Sequence, residues 1–533
     1  MTETVPPTTE SSAANQQIAR AAKIVMLGFV LSNLTGLVRQ VMIANIFGTE
    51  GEIDAYYAAL GLPDMLFALV AGGALASAFI PTLTEFLERN DREGGWKLTS
   101  SIANLVTLAM VVFGVVVFIF ALPVVEIVLA PDFSPALQQL TADMLRILLL
   151  SPILLGLSGL VTGVLQAHQS FLLPSFSSTL YWVGVIIGLL VFVPSMGIYG
   201  LAWGTILGTA MHLGVQIPGL LKLPKRKYSF SLGLDMPAVR QVGRLIAPRL
   251  LGAAIVQINF LVSINLASGM LEGSLTAFKN AYMVMTMPQV VIAQSISIAA
   301  LPTFSAQIAR GEREGMRSSL ASSLRSILLL SIPAMVGLIL LRTPVISMLF
   351  ERGAFDQRSV TLTAWALLWY SAGLVSHSVL EIIVRAFYAM QDTRTPVIIG
   401  VGAMSLNVVF SLTLPGLFER IGWLPHGGLA LANTLATTIE VIILLYLMRI
   451  RLDGLEGRYL LSGIWKSVLA AGGMSALVVS WLGYSAGYSV WLVGIAGILL
   501  GGAAYAVILL LLRVEETAAV INLARRMGKR IFP

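Results

Sequence analysis

Fourteen mostly apolar stretches, each longer than 20 residues, occupy nearly the whole of this chain. A helix rising ~1.5 Å per residue needs about 20 such residues to cross a ~30 Å hydrocarbon layer. The pattern therefore points to an all-α polytopic membrane protein with 14 transmembrane helices. The stretches run approximately over 21–47, 53–88, 98–122, 137–167, 172–193, 199–222, 238–268, 274–309, 317–341, 359–390, 395–415, 427–449, 460–483 and 487–513. Several exceed what a bilayer requires, so those helices should tilt or bend, with Pro63, Pro152, Pro288 and Pro333 as the candidate bending points. Only 11% of the 533 residues are charged, far below the ~25% of soluble domains, and no room is left for a soluble catalytic domain.

Charge placement orients the bundle. Lys and Arg are retained on the cytoplasmic side, and every second connection is basic. These basic sets are Arg89, Arg92 and Lys97; Lys222, Lys225, Arg226 and Lys227; Arg310, Arg313 and Arg317; Arg394; and Arg449, Arg451 and Arg458. The intervening connections are acidic, mixed or uncharged, as at Glu50, Glu52 and Asp132. Both termini are therefore expected in the cytoplasm. These loops, with Arg525, Arg526, Lys529 and Arg530, account for the net charge of +7, and no nucleic-acid partner is implied. Residues 1–17, rich in Thr, Ser and Pro, read as a disordered cytoplasmic tail rather than a signal peptide. Residues 514–533 read as a second tail, either an amphipathic helix on the inner leaflet or a solvated one.

An internal repeat divides the spans. Pro81, Thr82, Arg89, Arg92, Glu93 and Gly94 recur 221 positions later as Pro302, Thr303, Arg310, Arg313, Glu314 and Gly315. Gln169 and Pro174 recur at Gln391 and Pro396, and Gly200, Leu201 and Ala202 at Gly428, Leu429 and Ala430. The order of these matches along two halves argues for duplication. Each copy holds six spans, an even number, so the copies run parallel as two pseudo-symmetric six-helix bundles, 18–222 and 238–451, joined by a basic linker over 223–237. Two additional C-terminal helices fall within 452–513. Two such bundles can enclose a central cavity and alternate its access by rocking. Gly200, Gly204 and Gly208 share a helix face and suit close helix packing.

Ionisable groups at membrane depth face a protein interior or a water-filled path, which singles out the stretch from Ser32 to Pro81. Arg39 lies ~12 Å from the Phe47 end of the first span. It either snorkels to that interface or serves as an anion-binding cation lining a cavity. Asp54 opens the second span. Glu381 and Arg385, four residues apart, share a face of the tenth span as a structural ion pair or as a gating or coupling element. Arg249, following Pro248, either lines the cavity or meets anionic lipid headgroups. Gln257, Asn259 and Asn407 suit interhelical hydrogen bonds or ion coordination.

Catalytic signatures are missing. There is no phosphate-binding Walker loop, nucleophile elbow, zinc-protease helix or pair of aspartates one residue apart. The chain has no cysteine, and His168, His212, His377 and His426 lack metal-ligand spacing. No cofactor or metal is expected, and an enzyme working through isolated acidic residues, such as a glycosyltransferase, is the remaining catalytic alternative.

The segments GLVRQVMIANIFG with Asp54 soon after, LPDMLFALVAGGALASAFIPTLTEF, APDF at 130–133, LFERGAF at 349–355 and RAFYAMQDTRTPV at 385–397 resemble one family. It is the lipid II flippases of the MurJ (MviN) type, within the multidrug/oligosaccharidyl-lipid/polysaccharide exporter superfamily, and the resemblance runs from the first span to about the twelfth. It implies fourteen helices in two lobes, the last two forming a groove for the lipid tail. It also implies movement of an undecaprenyl-pyrophosphate-linked peptidoglycan precursor across the bacterial cytoplasmic membrane. Arginines in a hydrated cavity can compensate the pyrophosphate charge with charge-assisted hydrogen bonds. Arg39 and Asp54 match family positions. Other family cations fall here at Asn33, at Phe67 and Ala68, and at Met283, with an acidic position at Thr286.

The resulting substrate-binding set is Arg39, Asp54, Ser32, Asn33 and Arg249, with Glu381 and Arg385 for gating or coupling. Either Arg39, Arg249 and Arg385 assume the phosphate-binding role, or the chain is a divergent member handling another lipid-linked substrate. With no nucleotide site, a membrane potential or ion gradient would drive the cycle. A cation-coupled drug exporter and a non-transporting scaffold for cell-wall synthesis proteins are the alternatives to a flippase. Partners other than the lipid substrate would be membrane lipids and cell-wall synthesis proteins.

Overall fold

Caps and prolines decide where the helices of this chain start and stop. The computed structural model describes residues 9–70, 74–514 and 516, and all regular structure among them is helical. Two compact units emerge, Met1–Gly269 and Met270–Pro533. The first contains α1 (Thr9–Phe47), α2 (Gly51–Val70), α3 (Ala74–Glu88), α4 (Arg92–Ile119), α5 (Ala121–Val124), α6 (Pro135–Leu148), α7 (Leu150–Ala167), α8 (Leu172–Val191), α9 (Val193–Met196), α10 (Ile198–Gly214), α11 (Ile217–Leu221) and α12 (Pro237–Ser268). The second contains α13 (Ser274–Gln289), α14 (Ser295–Ala309), α15 (Arg313–Phe350), α16 (Gln357–Ala372), α17 (Leu374–Ala389), α18 (Arg394–Arg420), α19 (His426–Arg451), α20 (Gly457–Tyr484) and α21 (Val490–Leu511).

The duplication is written into the backbone. Helix starts at Ala74, Arg92, Pro135, Leu172 and Ile198 reappear at Ser295, Arg313, Gln357, Arg394 and His426. Their ends carry the same devices. Ser134 and Asp356 each cap a helix by accepting the amide three residues on, at 3.4 and 2.8 Å. Gln169 and Gln391 both adopt the left-handed conformation, φ 59° and 58°, that closes a helix at its C-terminal side. The buried cores correspond too. Phe79, Leu83, Leu98 and Val164 join α3, α4 and α7, while Phe304, Leu320, Ile383 and Phe387 join α14, α15 and α17. A third cluster, with Leu329, Ala470, Met474 and Tyr505, ties α20 and α21 to α15.

Among the described residues eleven helices are long and apolar enough to cross a membrane, and α16 with α17, bent by 47°, makes up to twelve. The two other expected spans, 53–88 and 238–268, are described in part. α2 carries Glu52, Asp54 and Asp64 in its 20 residues, and residues 71–73 between it and α3 lie outside the described residues. α12 carries Arg240, Arg244 and Arg249 in its first half, its side chains at 247–249, 251–253 and 255 lie outside the described residues, and its described apolar stretch runs over Val256–Ser268. α12 packs on α2 and α3 within the first unit. The first helix begins at Thr9, within the stretch expected to be a disordered tail over 1–17, and the expected carboxy-terminal tail is described at Val514 and Glu516 only.

Of the candidate bending points, Pro152 lies just after the break between α6 and α7, and Pro288 just before a π-helical turn over Val290–Gln294. A second π-helical turn, Val125–Leu129, likewise starts two residues after a proline, Pro123. A proline ring clashes with the carbonyl four residues back and removes one donor, so the ladder slips to wider spacing. Pro63 and Pro333 sit inside α2 and α15, whose helical assignment continues through them. The glycine ladder packs α10 on α8, because a Cβ at Gly204 would lie 2.8 Å from the Cα of Gly188.

Candidate functional site

Arg39 is half-buried on α1. Ser32, Gly36 and Arg39 follow one another at helical spacing along one side of α1. At Gly36 a Cβ would come within 3.3 Å of the Trp182 indole nitrogen, so glycine is what lets Trp182 of α8 lie against α1. The Arg39 guanidinium then stacks over that indole, its carbon 4.4 Å from the ring centroid. One Nη donates to Gln40 Oε1 at 2.7 Å, and the Gln40 amide in turn donates to the Tyr57 hydroxyl at 2.6 Å. Among the described residues Arg39 has no carboxylate partner, and its buried Nε makes no hydrogen bond. Tyr56 pairs with Thr205 of α10 at 2.8 Å behind this group.

The other sequence candidates divide. Asp54 is buried, 3% exposed, in the first turn of α2, where the helix dipole favours an anion. Tyr57 lies within electrostatic reach of both Arg39 and Asp54. Ser32 is half-buried two turns from Arg39. Asn33 is exposed, and its amide is spent on its own helix, donating to the Phe29 carbonyl at 2.8 Å. The side chain of Arg249 lies outside the described residues. Phe67, Ala68 and Met283 are half-buried, and Thr286 donates back to the Met283 carbonyl at 2.8 Å. Glu381 and Arg385 join at 2.8 Å within α17. Asn259 and Asn407 are both buried, at 5% and 2% exposed.

Sequence reasoning missed Gln40, Tyr57 and Trp182. One signal was available: Trp182 is the eleventh residue of the 20-residue α8, mid-span, whereas membrane tryptophans concentrate at the interfaces. The second unit holds an apolar cavity of about 420 Å3 among α13, α15, α20 and α21, lined by Pro288, Leu330, Pro333, Leu341, Gly497 and Tyr505. Three or more acidic or imidazole groups positioned to hold a metal do not occur among the described residues.

Such a chain is of the class of all-helical, multi-pass membrane proteins, with a cation held on an aromatic ring in its first unit and an apolar groove in its second. Solved structures agree on the fold. A lipid II flippase MurJ in an inward closed conformation superposes with a TM-score of 0.75 at 24% identity, over 91% of this chain and 97% of that one. An inward-facing multidrug resistance MATE family transporter of the MOP superfamily gives 0.64 at 17% identity, over 80% and 96%. The family model of the lipid II flippase MurJ matches residues 43–500. A lipid II flippase MurJ from Burkholderia cenocepacia is 30% identical over 437 residues, 81% of this chain and 84% of its own. The chain belongs to the MurJ family of lipid II flippases.

Proposed function

We propose that this chain moves lipid II, the undecaprenyl-pyrophosphate-linked peptidoglycan precursor, from the inner to the outer leaflet of the bacterial cytoplasmic membrane by alternating access. The family match over residues 43–500 carries this reading. Adding the α2–α3 stretch and α12 to the twelve spans gives fourteen, in two six-helix lobes plus α20 and α21, with both termini cytoplasmic.

Within that frame Arg39 contacts the pyrophosphate. A guanidinium whose face is held by an aromatic ring and whose donors are not spent on a carboxylate keeps its edge for phosphate oxygens. Ser32 extends the polar face of α1 and Asp54 orients the site, while the apolar groove of the second unit takes the lipid tail. Arg249 belongs to the set on sequence position. The closure of Glu381 and Arg385 within one helix supports a structural ion pair. Membrane potential or an ion gradient supplies the driving force.

The test is leaflet-resolved lipid II movement in proteoliposomes, comparing the natural chain with Arg39→Ala under an imposed membrane potential. Movement that Arg39→Ala abolishes in folded protein is the expected result. No movement by the well-folded natural chain overturns the substrate assignment.

A further inference from the structure

The lining of the apolar groove of the second unit reaches Leu330 of α15 and Tyr505 of α21, and next to these residues lies a group of polar side chains that spans 191 residues of sequence. Tyr505 of α21 is the last groove residue on that side. Its hydroxyl donates to the Leu329 carbonyl of α15 at 2.7 Å, so Ser467 of α20, 2.7 Å away, must donate to it. One turn further along α15 lies Arg325, 4% exposed. Gly463 of α20 makes its slot, since a Cβ there would lie 2.9 Å from Arg325 Cγ. The guanidinium sits over Tyr459, 4.1 Å from the ring centroid, and Arg325 Nε is 2.8 Å from Oε1 of Glu516, just beyond α21. Tyr459 donates to the same oxygen at 3.3 Å.

We propose that Arg325, Tyr459 and Glu516, with the Tyr505–Ser467 pair beside them, form a stop at one end of the groove that sets the length of lipid tail it accepts. This rests on the reading of the groove as the tail site. A tail passing from bilayer hydrocarbon into the groove gains packing contacts along the apolar lining, and gains nothing by displacing paired charges and satisfied hydroxyls. The stop is ionic rather than a two-pronged fork: Arg325 Nε and Glu516 Oε2 each lack a hydrogen bond of good geometry among the described residues. All three elements bounding the groove end are thereby tied at one point, making Arg325 and Glu516 positioning residues for the tail.

The experiment uses the full chain in proteoliposomes with a series of substrates sharing the lipid II headgroup and differing in polyprenyl length, one carrying a photoreactive tail. In the natural chain the apparent KM should fall with tail length and then level off, and the photoreactive tail should label α15 or α21. Glu516→Gln should move the levelling point to longer tails, changing the long-to-short KM ratio by about tenfold, the factor expected for losing one hydrogen bond to a charged group. Glu516→Gln leaves the buried Arg325 charge unpaired and risks misfolding, so Arg325→Met/Glu516→Gln, which removes both charges, is the second variant and should behave alike. Variants that lower thermal stability while leaving the KM ratio unchanged overturn the stop and make the contact a helix clamp. Absence of labelling in the natural chain overturns the tail-site reading itself, a result distinct from labelled protein whose ratio does not respond.

Discussion

Arg39 in the first unit and Arg325, Arg385 and Arg451 in the second are all arginines in or beside apolar helices, yet they are held in opposite ways. Each of the three in the second unit has a carboxylate, Glu516, Glu381 and Asp392 respectively. Arg39 has an indole, a neutral amide and an unspent Nε. A cation already neutralised by a carboxylate offers an incoming anion little, because binding must first break the resident pair. A cation held by a ring quadrupole and an amide is positioned without being neutralised. The difference separates arginines already spent on resident ion pairs from one that remains available to a phosphate.

The strongest way to break this contrast is to remove Arg39. Arg39→Ala should lower lipid II movement by about 30-fold or more, matching the 2–5 kcal/mol typical of truncating one partner of a desolvated charge pair. Its thermal midpoint should stay near that of the natural chain, because the resident partners are neutral. A large fall in the midpoint would place Arg39 with the structural arginines instead. Arg39→Lys should recover a minor part of the activity, since an ammonium keeps the charge and loses the planar fork and stack.

The next largest effect tests the ring. Trp182→Leu should reduce transport by about fivefold, in line with the ~1 kcal/mol of a partly exposed cation–π contact. Trp182→Phe should lie between the two. Full activity in Trp182→Leu would show that Gln40 alone positions the guanidinium.

How far the chain could be read beforehand follows from the range of each interaction. The twelve recovered spans and the repeated motifs at their ends depend on residues within a turn or two, and were legible in the sequence, whereas the caps at Ser134 and Asp356 were not read there. The environment of Arg39 was not, because Trp182 lies 143 residues away and its approach depends on the absent side chain at Gly36. The i to i+4 spacing of Glu381 and Arg385 foretold their pairing, which is intrahelical. Nothing local foretold that Arg325 would meet Glu516 near the end of the chain.

A smaller effect concerns the connection between α17 and α18. The Asp392 carboxylate accepts from the Thr395 hydroxyl at 2.6 Å and from the Thr395 amide at 3.0 Å, and also pairs with Arg451. The Thr395 hydroxyl first, then its amide and Arg451, bring its pKa down from 3.8 to about 2. A depressed carboxylate contributes stability that is complete above its unfolded value and is lost as pH falls through the folded one. The midpoint of the natural chain should therefore decline between about pH 4 and pH 2 more steeply than that of Asp392→Asn. At neutral pH the substitution should cost about 1 kcal/mol, as for a well-placed, partly exposed pair. Identical acid profiles would remove Asp392 from the structural group.

The smallest expected effect is the sharpest on the comparison itself. Glu381 and Arg385 are 26% and 21% exposed and pair along one helix, a geometry worth about 0.3–0.5 kcal/mol. Replacing both, as Glu381→Gln/Arg385→Gln, keeps the size of the first side chain, shortens the second, and removes two opposite charges together, so no charge is left unpaired. Stability and lipid II movement should both stay close to the natural chain, with transport within about twofold of it. Transport lost at an unchanged thermal midpoint would mean that the pair opens during the cycle and takes part in it. In that case a carboxylate partner would no longer mark an arginine as structural, and the test for an available cation would have to be whether its pair persists throughout the transport cycle.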